Sequence, residues 1–204
     1  DGSPSDIAEA YYCARWTEDK IYVAVKVLDL THVFTDNYTE WNARDAVEIY
    51  LHTTGKSADY SYSMSEAAQE YAIGIMYEHP DRVWTDLGYK MDVPEVCAFE
   101  AAGREDEEWL YYEVAMTPFH YMGAFVGQPS VMSPVFANQV IGLDVVVAGN
   151  NGLYTGMKSA NNKKAKSNDY SQFGVHRLVN PAAGSTVTGT VVLADYIPGA
   201  DGKP

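Results

Sequence analysis

Residues 20–29 read KIYVAVKVLD, with Ile21, Val23, Val25 and Val27 alternating against Tyr22, Ala24, Lys26 and Leu28. A period of two places the aliphatic set on one face of a strand, so one face is core and the other is partly wet. The same period returns in AVEIYLH (46–52), YAIGIMYE (71–78), VCAFEAAG (96–103), EWLYYEVAM (108–116), VIGLDVVVAG (140–149), FGVHRLV (173–179) and TVTGTVVLADYI (186–197). So many short strands with almost no helical period between them predict an all-β fold, an antiparallel β-sandwich of jelly-roll type. One short helix is expected near 118–122, opened by Pro118. Asn151-Gly152 predicts a tight hairpin turn.

With 204 residues, 47 % of them hydrophobic, the chain can build one good core. No apolar run approaches the roughly 18 residues of a membrane helix. The chain is expected to be soluble, any signal peptide having been removed ahead of Asp1. The net charge of −14 repels phosphate backbones and anionic headgroups, which argues against nucleic acid as a partner. From about residue 181 the text turns rich in Gly, Pro, Ala and Thr around a single strand. This predicts a domain over 1–180, followed by a strand and linker over 181–204 that lead to a further domain.

Catalysis finds little support. Asp45 and Glu48 are three apart and on a strand point to opposite faces, so they cannot flank one bond. The five His residues show no ligand spacing, and neither GxSxG nor HExxH occurs. Absence of CxxCH excludes covalent haem, leaving a noncovalent haem site between His and Met as the least favoured of the function readings. Two cysteines, Cys13 and Cys97, lie in strand-like text and leave two readings open. Either they pair, closing an 84-residue loop worth roughly 4 kcal/mol in the chain-entropy view, or they are separate buried thiols. Metal content is undetermined. Acidic loops at 105–108 and around Asp29 and Asp36 suit either structural Ca²⁺ or solvated turns, and no cofactor is otherwise expected.

The aromatic content is more informative. Sixteen Tyr, 4 Trp and 6 Phe exceed what an apolar core requires, so some rings with polar tips belong to the surface. Such rings suit protein contacts or the CH-rich faces of sugars. Long polar loops, including 154–172, supply the neighbouring amides and carboxylates.

The order of several motifs resembles carbohydrate-binding module family 9. These are DG at 1–2, WTEDKIYVAVKVLD (16–29), WNARDAVEIYLH (41–52), EWLYYEVAMTPF (108–119), VIGLDVVVAGNNG (140–152) and FGVHRLV, together covering about residues 1–180. The resemblance implies a β-sandwich that binds sugars without transforming them, clamping a ring between two aromatic side chains. Trp41 falls on the first clamp position and Glu48 on a hydroxyl-binding carboxylate, while Asp45 is expected to organise the turn. The second clamp position is Ser167 here, with Tyr170 the nearest aromatic. YAIGIMYE offers no counterpart of the family's Arg, and AGNNG replaces its acidic stretch. The expected sugar-binding residues are therefore Trp41, Arg44, Glu48, Asn168 and Tyr170. The setting implied is an extracellular or cell-surface multidomain protein acting on oligo- or polysaccharide. A structural sandwich domain in an extracellular assembly is the competing reading.

Overall fold

The computed structural model describes residues 7–36, 44–53, 68–79, 83–87, 100–121, 131–150, 155–159, 172–179 and 194–196. Two antiparallel sheets face one another. The smaller has the order β1-β2-β7-β6, from β1 (Ile7–Trp16), β2 (Ile21–Asp29), β6 (Glu100–Asp106) and β7 (Trp109–Met116). The larger runs β13-β11-β10-β3-β4-β5, from β3 (Ala46–His52), β4 (Ala68–Ile75), β5 (Val83–Leu87), β10 (Val140–Asn150), β11 (Thr155–Ser159) and β13 (Ala194–Tyr196). A short β12 (Val175–Arg177) pairs with the first residues of β10, along the edge whose far end carries β11.

The core lies between the sheets. Ile21, Val23, Val25 and Val27 of β2 are buried against Val47, Ile49 and Leu51 of β3 and Leu143, Val145 and Val147 of β10 within one apolar cluster. Each such side chain contributes about 1.5–3 kcal/mol on leaving water, which makes this interleaving the main force holding the sheets together. The alternation in KIYVAVKVLD is thus realised, and its other face carries half-buried Ala24, Lys26 and Leu28 beside exposed Tyr22. Where β1 meets β10, the Ile7 side chain packs directly against the Gly149 backbone. A Cβ on Gly149 would sit 2.6 Å from Ile7 Cγ1, so a larger residue there would force the Ile7 side chain to move.

The expected helix near 118–122 is absent from its described part. Phe119–Tyr121 form strand β8, paired with β9 (Val131–Met132), and residue 122 lies outside the described residues. The backbone groups of this stretch bond across the fold instead of along a helix. Phe119 N–H donates to Gln69 Oε1 at 2.9 Å, the Phe119 carbonyl accepts from Thr53 Oγ1 at 2.9 Å, and Ser133 N–H donates to the Pro118 carbonyl at 2.9 Å. A segment this short has too little intrinsic helical stability to resist such pairing.

The strand expected at 71–78 starts three residues earlier. Polar Gln69 and Glu70 extend the ladder opposite Leu51 and Tyr50, and the chain leaves it after Ile75, with Tyr77 exposed. The strand expected over 173–179 pairs only at 175–177. In the 181–204 segment, Ala194–Tyr196 form the outermost strand of the larger sheet, against Met157–Ser159. Cys13 is a half-buried free thiol on β1, while Cys97 and the Asn151-Gly152 turn lie outside the described residues. Among the described residues no helix is long and apolar enough to cross a membrane.

Candidate functional site

The motif WNARDAVEIYLH leads into β3, and the chain is fixed there by Asp45. Its carboxylate accepts Val33 N–H at 2.5 Å and Asn150 N–H at 2.8 Å, while its own N–H donates to the Val33 carbonyl at 3.1 Å. One buried side chain thus ties the loop after β2, the start of β3 and the end of β10 together, so Asp45 does organise the turn. Buried beside it is the Tyr112 hydroxyl. Burial, then the nearby Asp45 and Asp29 charges, raise its pKa well above the usual tyrosine value and keep it protonated. Arg44, immediately before Asp45, is half-buried at the entrance to the strand.

Beyond Asp45 the strand alternation turns Val47, Ile49 and Leu51 to the core and Glu48, Tyr50 and His52 to the opposite face. On an ordinary sandwich that face would be wet. Here every residue of β3 is buried on both faces, and Glu48 is only 4 % exposed. Register explains what assembles there. Tyr50 lies between Asp144 of β10 and Glu70 of β4, and Glu48 lies between Val146 and Ala72. The Tyr50 hydroxyl donates to Glu48 Oε2 at 2.7 Å and stands 3.2 Å from Glu70 Oε1. Burial first, then the charges of Glu48 and Glu70, raise its pKa well above the usual value.

Residues 172–174 help cover this face. The Phe173 ring packs on Tyr50 with centroids 5.3 Å apart, and Gly174 N–H donates to Asp144 Oδ2 at 3.3 Å. Asp144 also accepts Val145 N–H at 3.0 Å, and the Gly174 carbonyl takes Leu143 N–H at 2.9 Å. Tyr50, Ala68, Val146 and Phe173 form a second apolar cluster separate from the core. His52, on the same face and equally buried, has its pKa lowered from 6.5 to about 4 by burial, so its ring is neutral at pH 7.

Of the residues singled out in the sequence, the structure places Glu48 in this array and Arg44 at its approach. Trp41, Asn168 and Tyr170 lie outside the described residues. Sequence reasoning missed Tyr50, Glu70, His52 and Phe173. The even spacing of Glu48, Tyr50 and His52 carried a signal, since it puts all three on one face; Glu70 joins them only through register.

The acidic residues considered for metal are engaged locally. Asp29 Oδ1 accepts Thr31 N–H, Asp36 accepts Glu78 N–H, Glu105 bonds His32 at 2.5 Å and Asp106 pairs with Arg104 at 3.1 Å. Among the described residues no three His, Cys, Asp or Glu side chains stand together in a way that could hold a metal ion.

Two facing antiparallel sheets, with a polar array on the outer face of the larger one, define the class as a β-sandwich. The arrangement of its strands is similar to that of solved carbohydrate-binding modules of family 9. A family 9 module from Caldicellulosiruptor kristjanssonii in complex with cellotriose matches with a TM-score of 0.61 at 15 % identity, over 87 % of this chain and 78 % of that one. A family 9 module from the same organism in complex with glucose matches with a TM-score of 0.60 at 14 % identity, over 91 % and 93 %. At such identities the likeness establishes the fold. No protein-family profile matches the sequence, and no curated protein does.

Proposed function

We propose that the chain is a noncatalytic carbohydrate-binding module of a secreted multidomain protein, and that sugar binds at the outer face of the larger sheet. The observation that carries this is the buried Glu48–Tyr50–Glu70 array, on a face that a purely structural sandwich would leave to solvent or fill with apolar side chains. Two buried carboxylates and a tyrosine hydroxyl side by side form a polar surface that suits ligands rich in hydroxyl groups. Sugars are such ligands, and the likeness to family 9 modules in complex with cellotriose and with glucose supports that choice.

In this reading Trp41 stacks on the sugar face, Glu48 accepts hydroxyl hydrogen bonds, Arg44 donates to ring or hydroxyl oxygens, and Tyr170 with Asn168 forms the second wall. Asp45 positions Trp41 and Arg44 by fixing the entrance to β3. Tyr50 keeps the Glu48 carboxylate oriented. Stacking plus a few hydrogen bonds gives affinities on the order of micromolar to millimolar. Titration of tryptophan fluorescence with gluco-, xylo- and manno-oligosaccharides tests it, on the parent and on Trp41→Ala. A saturable response in the parent that is lost in the variant supports the module. A flat response in a folded parent protein contradicts it.

A further inference from the structure

The outer face of the smaller sheet holds a cleft of about 640 Å³, on the side of the sandwich opposite the Glu48 array. Register lays its walls out as rows across the four strands. One row is Arg15, Tyr22, Ala115 and Glu100; the next is Cys13, Ala24, Glu113 and Ala102. Beyond them runs a third row, Tyr11, Lys26, Tyr111 and Arg104.

Outward positions on strands favour broad side chains, yet the middle of this face carries Cys13, Ala24, Ala102 and Ala115. They form a trough. One bank is Tyr22, 41 % exposed, with Arg15 and Glu100. The other bank is held rigid: Lys26 Nζ lies 3.7 Å from the Trp109 ring centroid, and Arg104 Cζ lies 4.0 Å from that of Tyr111. Glu113 stands in the trough itself.

We propose that this trough is a second carbohydrate site, which takes an internal stretch of a neutral polysaccharide chain. The size is that of a ligand site rather than a surface dimple. Methyl groups and the Tyr22 ring suit the CH faces of pyranose rings, while Arg15, Glu100 and Glu113 supply both a donor and acceptors for hydroxyls. Cations and carboxylates alternate across the face, so neither a polyanion nor a polycation meets a complementary field. With strands about 4.8 Å apart, the trough runs about 14 Å from β1 to β6, the length of about three sugar units. Those two are the outer strands of the sheet, which suits a chain lying across it rather than a chain end. The assignment does not depend on the Glu48 array being a sugar site.

Calorimetric titration with cellohexaose, xylohexaose and mannohexaose tests it, on the parent, Trp41→Ala, and Trp41→Ala carrying Ala102→Arg or Tyr22→Ala. Thermal melting verifies that each variant is folded. The expected result is that Trp41→Ala still binds at least one hexaose, and that Ala102→Arg, which fills the trough, weakens this binding at least tenfold, as Tyr22→Ala also does. No binding of any hexaose to folded Trp41→Ala overturns the proposal. So does residual binding that both trough variants leave intact. A parent isotherm unchanged by Trp41→Ala counts against the first site alone, and the trough variants then still decide the second.

Discussion

The Tyr50 hydroxyl donates to the Glu48 carboxylate at 2.7 Å on the face of the larger sheet turned away from the core. The same hydroxyl stands 3.2 Å from Glu70 Oε1 on the next strand, so one donor lies within reach of two buried carboxylates. Tyr50→Phe removes that donor and keeps the ring on Phe173. The loss of a hydrogen bond to a buried charged group costs about 1.5–3 kcal/mol, to be read from urea unfolding. Sugar affinity is expected to fall with it, because the Glu48 carboxylate loses a hydrogen bond that orients it.

His52 links stability to pH. Its folded pKa of about 4 lies below the unfolded value of 6.5, so between those pH values the unfolded chain binds the proton and the folded one does not. The stability contribution is fully present above pH 6.5 and is lost as pH falls toward 4, on the order of 2–3 kcal/mol in total. Urea unfolding at pH 7 and pH 4.5 should show a smaller acid loss in His52→Gln than in the parent. An equal loss in both would mean that the ring titrates normally when folded.

Asp45 serves two backbone donors at once, those of Val33 and Asn150. Asp45→Ala strands both N–H groups in a buried setting, at about 1–3 kcal/mol each. The variant is expected to lose several degrees in melting temperature and also to weaken sugar binding, since the start of β3 is no longer tied to Val33 and Asn150. Asp45→Asn, which keeps one acceptor oxygen, should fall between parent and alanine in both measurements.

Gly149→Ala tests the close packing of Ile7 on β1 against the backbone of β10. The added methyl would meet Ile7 Cγ1 at 2.6 Å, Ile7 Cδ1 at 2.9 Å and Asp29 Oδ2 at 3.1 Å, and overpacking of this kind costs about 1–3 kcal/mol. At Gly142 the nearest atoms stand at 3.3 Å, so Gly142→Ala is expected to cost less in the same unfolding measurement.

The sandwich was legible where one face of a strand is apolar and the other is not. The strands of KIYVAVKVLD and AVEIYLH were read within a residue of their observed ends for that reason. β1 was read only as strand-like text around Cys13, without bounds, because its alanines, tyrosines and Cys13 spread over both faces, and pairing with β2 defines IAEAYYCARW as a strand. Pro118 suggested a helix start, yet side chains distant in sequence, Gln69 and Thr53, hold the next residue in a strand. Of the candidate site, Glu48 was legible from its motif. The burial of its whole face was not, because that depends on Phe173 folding back over Tyr50 and on β4 presenting Glu70 in register.

The central claim is that the outer face of the larger sheet binds sugar through Trp41 and Glu48. Its most direct test is a fluorescence titration of the parent, Trp41→Ala and Glu48→Gln with cello-oligosaccharides, each sugar with free and reduced ends. The account predicts a saturable response in the parent, loss of the Trp41-dependent part of that response in Trp41→Ala, with only binding at the trough remaining, and at least a tenfold weakening of the Trp41-dependent part in Glu48→Gln, with all three proteins folded. Equal binding by all three, or none by the parent, would contradict it.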